Sequence, residues 1–353
     1  MLMKKNKVGL VLSGGGAKGA YQVGVLRYMA EIGMNVDAVS GASIGALNGA
    51  VIASARNINE ASEHLDSLWK NLADESPLRV NKLFVASYLG YLCLMGTSHL
   101  SPVLSIAKNF LKQKNIIDLG VLDNSPVRKL IDAYTSPEKL RKGLPLYVSI
   151  FESDDSVDTV ISAVMGILGV VNTLPSEFRH VQSFPNDKQR DVILASASLP
   201  MLFEPQEIDG KRYTDGGIGG WQKAQGNTPI TPLIEMANCT HIIVTHLGDG
   251  SLWNRYDFPD TTILEIRPKK PITQESMLKD LLNFKADKIN RWIDQGYEDA
   301  SRCIGDVAFL INQQKESQLA INKRNTVLQA LDDDNFSLFA FNENSNTKPN
   351  NGK

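Results

Sequence analysis

Positions 8–12 are apolar or glycine, and the run stops at Ser13 and three glycines, Gly14, Gly15 and Gly16. Tyr21, Val25, Leu26 and Met29 then recur at helical spacing. The pattern predicts a strand, a tight turn and a helix over 20–30. A second strand is predicted at 36–40, a turn at 41–45 and a helix rich in small residues at 46–55. Further strand signals fall at 146–151, 241–247 and 263–266, with helical stretches between them. Such alternation predicts an α/β fold with a mostly parallel central sheet covered by helices on both faces, a three-layer α/β/α arrangement.

Two stretches lack charge, 83–107 and 160–174. Polar residues dilute the first, and the second is shorter than the ~20 apolar residues a bilayer crossing needs. Both are expected as buried helix, or as lipid-facing segments, and no transmembrane helix is expected. Residues 274–331 read as polar amphipathic helices. The expected organisation is a main domain over 1–270, a helical extension over 271–341 and a disordered tail over 342–353.

The 37 Lys and Arg residues nearly balance the 39 Asp and Glu residues, so no strong field selects nucleic acid, and any membrane contact must be local. Cys93, Cys239 and Cys303 form neither a disulfide framework nor a zinc motif. No metal or cofactor is expected, and a reducing cytoplasm is the simplest location. Lys4 and Lys5 precede an apolar run that the glycines and Lys18 cut short, so no Sec signal is read.

Gly14, Gly16 and Gly19 fit the dinucleotide pattern Gly-x-Gly-x-x-Gly, and Asp37 lies near the spacing of a ribose-binding acid. Asp37, however, opens the second strand, at the edge of the sheet opposite the glycine turn. What remains is a run of backbone N–H groups at a helix start, suited to a phosphate or a developing oxyanion. Gly41, Ala42, Ser43, Ile44 and Gly45 form Gly-x-Ser-x-Gly between a strand and a helix. In that setting the serine occupies a strained turn with no room for side chains at either glycine. Its hydroxyl is either a nucleophile at the carboxyl end of the sheet or a helix cap.

Two bases compete. His246 stands at a strand end, in the chain order of an α/β-hydrolase triad but with no obvious paired acid. Asp215 begins Asp-Gly-Gly at another strand end, and a carboxylate there needs desolvation to act as a base.

With these elements in order, the sequence resembles the patatin-like phospholipase family. The matching segments are VLSGGGAKGAYQVG at 11–24, GASIGALNG at 41–49, ASASLPMLFEP at 195–205, and Asp215, Gly216 and Gly217 followed by Asn227 and Pro229. The resemblance implies a Ser–Asp dyad of Ser43 and Asp215 acting without histidine on acyl esters of glycerolipids. It implies an oxyanion hole at Gly14, Gly15 and Gly16, supported by Lys18, Gly19, Gly41, Gly45, Gly216 and Gly217. Lys18 then anchors the turn, meets a lipid phosphate, or is an exposed helix lysine. The implied partners are a membrane phospholipid met peripherally and transiently, and an activating protein or ligand, because an unregulated lipid hydrolase endangers its host. Two other functions fit the same residues: a dinucleotide-binding protein using Gly14, Gly16 and Gly19, and a non-catalytic lipid-binding protein.

Overall fold

A computed structural model describes residues 6–74, 125–153, 174–198, 203–220, 225–250, 252–273, 280, 281 and 283–343. The uncharged stretches at 83–107 and 160–173 lie outside the described residues. The chain divides into two compact units, Met1–Cys303 and Ile304–Lys353.

In the first unit β1 (Val8–Leu12), β2 (Ala38–Gly41), β3 (Leu146–Ser153), β4 (Glu177–His180), β5 (Gln206–Ile208), β6 (Lys211–Asp215), β7 (His241–Thr245) and β8 (Thr262–Ile266) form one sheet. The order is β5-β6-β3-β2-β1-β7-β8, with β4 also on β3. The central pairs are parallel, and β4, β5 and β6 run antiparallel to their neighbours. The predicted strands are all present, with small shifts at their ends.

The register has a consequence for chemistry. Tyr147 pairs with Ser40 and His180, and Ile150 pairs with Glu177 and Asp215, so β4 fills one side of β3 while β2 and β6 follow each other along the other. β2 arrives at Gly41 opposite Val148, and the antiparallel β6 arrives at Asp215 opposite Ile150. The two strand ends therefore meet nearly head-on, about 7 Å apart along β3.

Helices cover both faces. Leu12, Val39 and Leu146 point toward Gly49 of α2 (Ile44–Ser54), where an added methyl would touch all three. The small residues of α2 thus let its backbone lie close to the sheet, and nearly all of the helix is buried. On the opposite face Val11, Ala38, Tyr147, Ile242, Val244 and Ile263 pack with Ile230 and Leu233, beside and within α7 (Thr231–Glu235). The alternation of inward residues along each strand follows from the period of two. Between these elements stand α1 (Ala20–Glu31), α3 (Ile58–Asp74), α4 (Ser125–Tyr134), α5 (Pro137–Lys142) and α6 (Asn186–Ser196).

In the polar C-terminal region Ala286–Glu343 forms a long helix, α8. The boundary between the compact units falls inside it, after Cys303. Within the first unit α8 crosses α1 at close range. Methyl groups on Gly24 and Gly296 would collide with the carbonyls of Ile293 and Tyr21. Buried Asp299 fixes the crossing, accepting from the Tyr21 hydroxyl at 3.1 Å and from the Lys269 N–H at 3.1 Å. In the second unit Leu319, Ile321 and Leu328 are exposed.

Candidate active site

Ser43 joins β2 to α2 with φ 53° and ψ −125°, a conformation costing a non-glycine residue ~1–3 kcal/mol. The strain explains both flanking glycines: a methyl on Gly41 would strike the Gly45 carbonyl, and one on Gly45 the Leu12 carbonyl. The Ser43 N–H is shared between Ser196 O and Ser196 Oγ, each at 3.1 Å. Although Ser43 occupies the cap position of α2, its side chain makes no capping hydrogen bond. The hydroxyl is left for another partner, and the positive end of α2 favours its ionised form.

That partner is Asp215. It is 1% exposed, and the Ser43 hydroxyl faces it closely enough to lower its pKa. Burial is the larger influence, so the carboxyl is pushed up to about 6 from an ordinary 3.8, against the opposing pull of Ser43 and of the Gly217 N–H. Oδ1 accepts from that N–H at 2.7 Å, while Oδ2 is buried with no full hydrogen bond among the described residues. A long contact of this kind is usual in an unliganded site and tightens around a reacting group. The Asp215 N–H donates to Ser198 O at 2.9 Å. Ser196 and Ser198, noticed in the sequence only as part of a matching segment, thus hold the backbones of the serine and the aspartate respectively.

Gly14 lies against Ser43; an added methyl would sit 3.1 Å from Ser43 Cβ. The Gly14 N–H is already given to the Asn227 carbonyl at 3.2 Å, and Asn227 Nδ2 reaches back to the Gly14 carbonyl at 3.5 Å. The N–H groups of Gly15 and Gly16 make no hydrogen bond among the described residues. Gly16 has φ 57°, where glycine is favoured, and Leu247 packs over Gly15. The Gly19 carbonyl accepts from Asn48 Nδ2 at 3.1 Å, and Asn48 also binds Gln22 Oε1 and Trp69 Nε1. This buried network braces the turn from behind. Gln22 and Asn48 stand in the sequence only as parts of the matching segments 11–24 and 41–49, because a buried amide has no local signature until its partners are known.

Gly216 and Gly217 follow Asp215 in a short 3-10 turn, and a methyl on Gly216 would strike the Ser149 backbone. Lys18 is not an exposed helix lysine: it is 6% exposed, and burial lowers its pKa while Asp280 opposes that shift.

The other candidates lie elsewhere. His246 has an acid after all, Glu265 on β8, with Nε2 to Oε2 at 2.9 Å, and Arg267 binds the same carboxylate oxygen at 2.5 Å. The ring is buried against Trp253, and β7 is separated from β2 by β1, so His246 serves this ionic cluster instead of Ser43. Asp37 Oδ2 accepts from the Val8 N–H at 2.8 Å. It is therefore fixed at the amino end of β1, remote from the glycine turn. Among the described residues no His, Cys, Asp or Glu group is arranged to hold a metal, and no helix is long and apolar enough to cross a membrane.

Comparison with known proteins places the chain in a wider group. The chain is 40% identical over 80 residues to patatin-like phospholipase domain-containing protein 7 of Mus musculus, covering 21% of this chain and 6% of that one. It is 52% identical over 58 residues to neuropathy target esterase sws of Drosophila melanogaster, covering 16% of this chain and 4% of that one. These curated relatives are far longer than the regions the chain shares with them. Among solved structures, VipD from Legionella pneumophila aligns at 15% identity and a TM-score of 0.44, covering 86% of this chain and 67% of that one. The family model of patatin-like phospholipases matches residues 10–234, which hold the glycine turn, Ser43 and Asp215, and the chain belongs to that family.

Proposed function

We propose that the protein is a lipid acyl hydrolase of the phospholipase A type, cleaving carboxylic esters of glycerophospholipids through Ser43 and Asp215. One observation carries the reading: a strained, uncapped serine faces a buried carboxyl whose pKa lies near 6, beside a glycine turn with unused N–H groups. At neutral pH the carboxylate is ionised yet basic enough to take a proton.

In the proposed reaction Ser43 Oγ attacks the ester carbonyl carbon as its proton passes to Asp215. The carbonyl oxygen becomes an oxyanion held by the Gly15 and Gly16 N–H groups. Collapse breaks the ester C–O bond, and the leaving lysolipid oxygen takes the proton from Asp215. Asp215 next deprotonates a water, which attacks the acyl-serine; the fatty acid leaves and Ser43 recovers its hydroxyl hydrogen. The substrate is met at a membrane surface, and the reaction depends on an activating partner or ligand.

Fatty-acid release from phospholipid vesicles tests the reading, together with labelling by a fluorophosphonate probe. Ser43→Ala and Asp215→Asn should each reduce release by about 10⁴-fold, and Ser43→Ala should abolish labelling. Full activity in Asp215→Asn with loss in His246→Ala would transfer the base to the histidine. An unlabelled Ser43 with no hydrolysis would leave a lipid-binding protein.

A further inference from the structure

The residues matched by the family model end at 234, yet the glycine turn is closed by residues well beyond them. Asp280 is fully buried, and its Oδ1 takes the Lys288 ammonium at 2.7 Å; Lys288 is itself 6% exposed. The same carboxylate is the charge that opposes the desolvation of buried Lys18. The Lys18 side chain in turn lies over Gly15, its Cε 3.3 Å from where a methyl on that glycine would stand. The next residue, Leu281, brings its backbone carbonyl against Gly16, so closely that any side chain at Gly16 would collide with it. One two-residue segment therefore touches Gly16 through its backbone, while its buried charge acts on the lysine that covers Gly15.

We propose that Asp280 is a positioning residue for the oxyanion turn, making Asp280, Leu281 and Lys288 a functional part of the active site. The inference rests on the function proposed above. Gly15 and Gly16 supply the unused N–H groups, and a small displacement of such donors costs far more in the transition state than in substrate binding. The second tether of α8, Asp299 with Tyr21 and Lys269, holds α1 and makes no contact with Gly15 or Gly16, so it serves as the internal control.

The test compares Asp280→Asn, Asp280→Glu and Asp299→Asn in the full chain, using a monomeric soluble ester and hydrogen exchange of the backbone amides. A paired Asp280→Leu, Lys288→Met variant covers the case in which the single change leaves a buried ammonium uncompensated and the chain does not fold. Asp280→Asn, or the pair, should lower kcat about 10- to 100-fold with KM within about 2-fold, and should speed exchange at 15–19. Asp280→Glu should recover part of kcat, and Asp299→Asn should lower Tm while leaving kcat and exchange at 15–19 unchanged. Unchanged kcat and exchange in a folded Asp280→Asn or paired variant would overturn the proposal, as would equal losses in Asp299→Asn. An inactive wild type with an unlabelled Ser43 would sink the functional reading alone, because exchange at 15–19 still decides whether Asp280 positions the turn.

Discussion

The two glycine turns of the site are built in opposite ways. The turn around Ser43 is steric and mostly local: Gly41, Gly45 and the carbonyl of Leu12 on the adjacent strand leave the serine one conformation. The turn at 14–19 is held from a distance, by Asn227 on Gly14, Leu247 on Gly15 and Leu281 on Gly16. A self-contained turn resists change elsewhere in the molecule, whereas a clamped one inherits the stability of its clamps. The chemistry proposed for each fits that difference. A nucleophile must be presented in one fixed orientation, while oxyanion donors must match a charge that exists only in the transition state.

The largest expected effect breaks the local turn. Gly45→Ala should cost at least about 10³-fold in kcat/KM together with a clear fall in Tm, since its methyl has only backbone to displace. Near-normal hydrolysis in that variant would show that the turn is less constrained than its contacts require. Asn227→Ala tests the remote clamp: the backbone bond to the Gly14 N–H stays, and loss of the Nδ2 link to the Gly14 carbonyl should lower kcat about 10-fold while fluorophosphonate still labels Ser43, only more slowly. Equal losses of kcat and of substrate binding would argue that Asn227 shapes the pocket rather than the turn.

The pH dependence probes the partner that both turns serve. With Asp215 at about 6 and required as a base, kcat/KM should fall tenfold per pH unit well below 6 and level off above it. Stability should respond in the opposite sense. The folded carboxyl has a higher pKa than the unfolded one, so its contribution is greatest below about 3.8 and is lost as pH rises through 6. At neutral pH the buried charge costs about 3 kcal/mol, and Asp215→Asn should be more stable than the wild type at pH 8 though inactive. Urea unfolding at pH 4 and pH 8 reads this directly, and a variant no more stable at pH 8 would mean the carboxylate is well solvated. The smallest effect concerns strain alone: Ser43→Gly should be more stable than Ser43→Ala by about 1 kcal/mol, measured as a shift in urea midpoint.

Much of this was legible in the sequence, for reasons that differ by element. The central parallel strands declared themselves as short apolar runs ending at glycines, because strands buried on both faces have little other composition open to them. The antiparallel β4, with its charged sequence Glu177–His180, carried no such signal. Part of the region expected as several helices, 286–343, forms the single long helix α8. His246 was legible as a candidate base and Glu265 was not seen as its acid, because strand pairing alone brings them together.

The sequence by itself determined the strand-turn-helix units, the strained position of Ser43 and the presence of an acid at a strand end. These follow from short-range sterics and periodicity, which a few neighbouring residues fully specify. Only the tertiary structure decided that Asp215 and Ser43 meet, because that depends on β2 and β6 meeting along one side of β3. It also decided the basicity of Asp215, the burial of Lys18 and the covering of Gly16 by Leu281. Desolvation and long-range contact are properties of the packed interior, and no window of the sequence contains them.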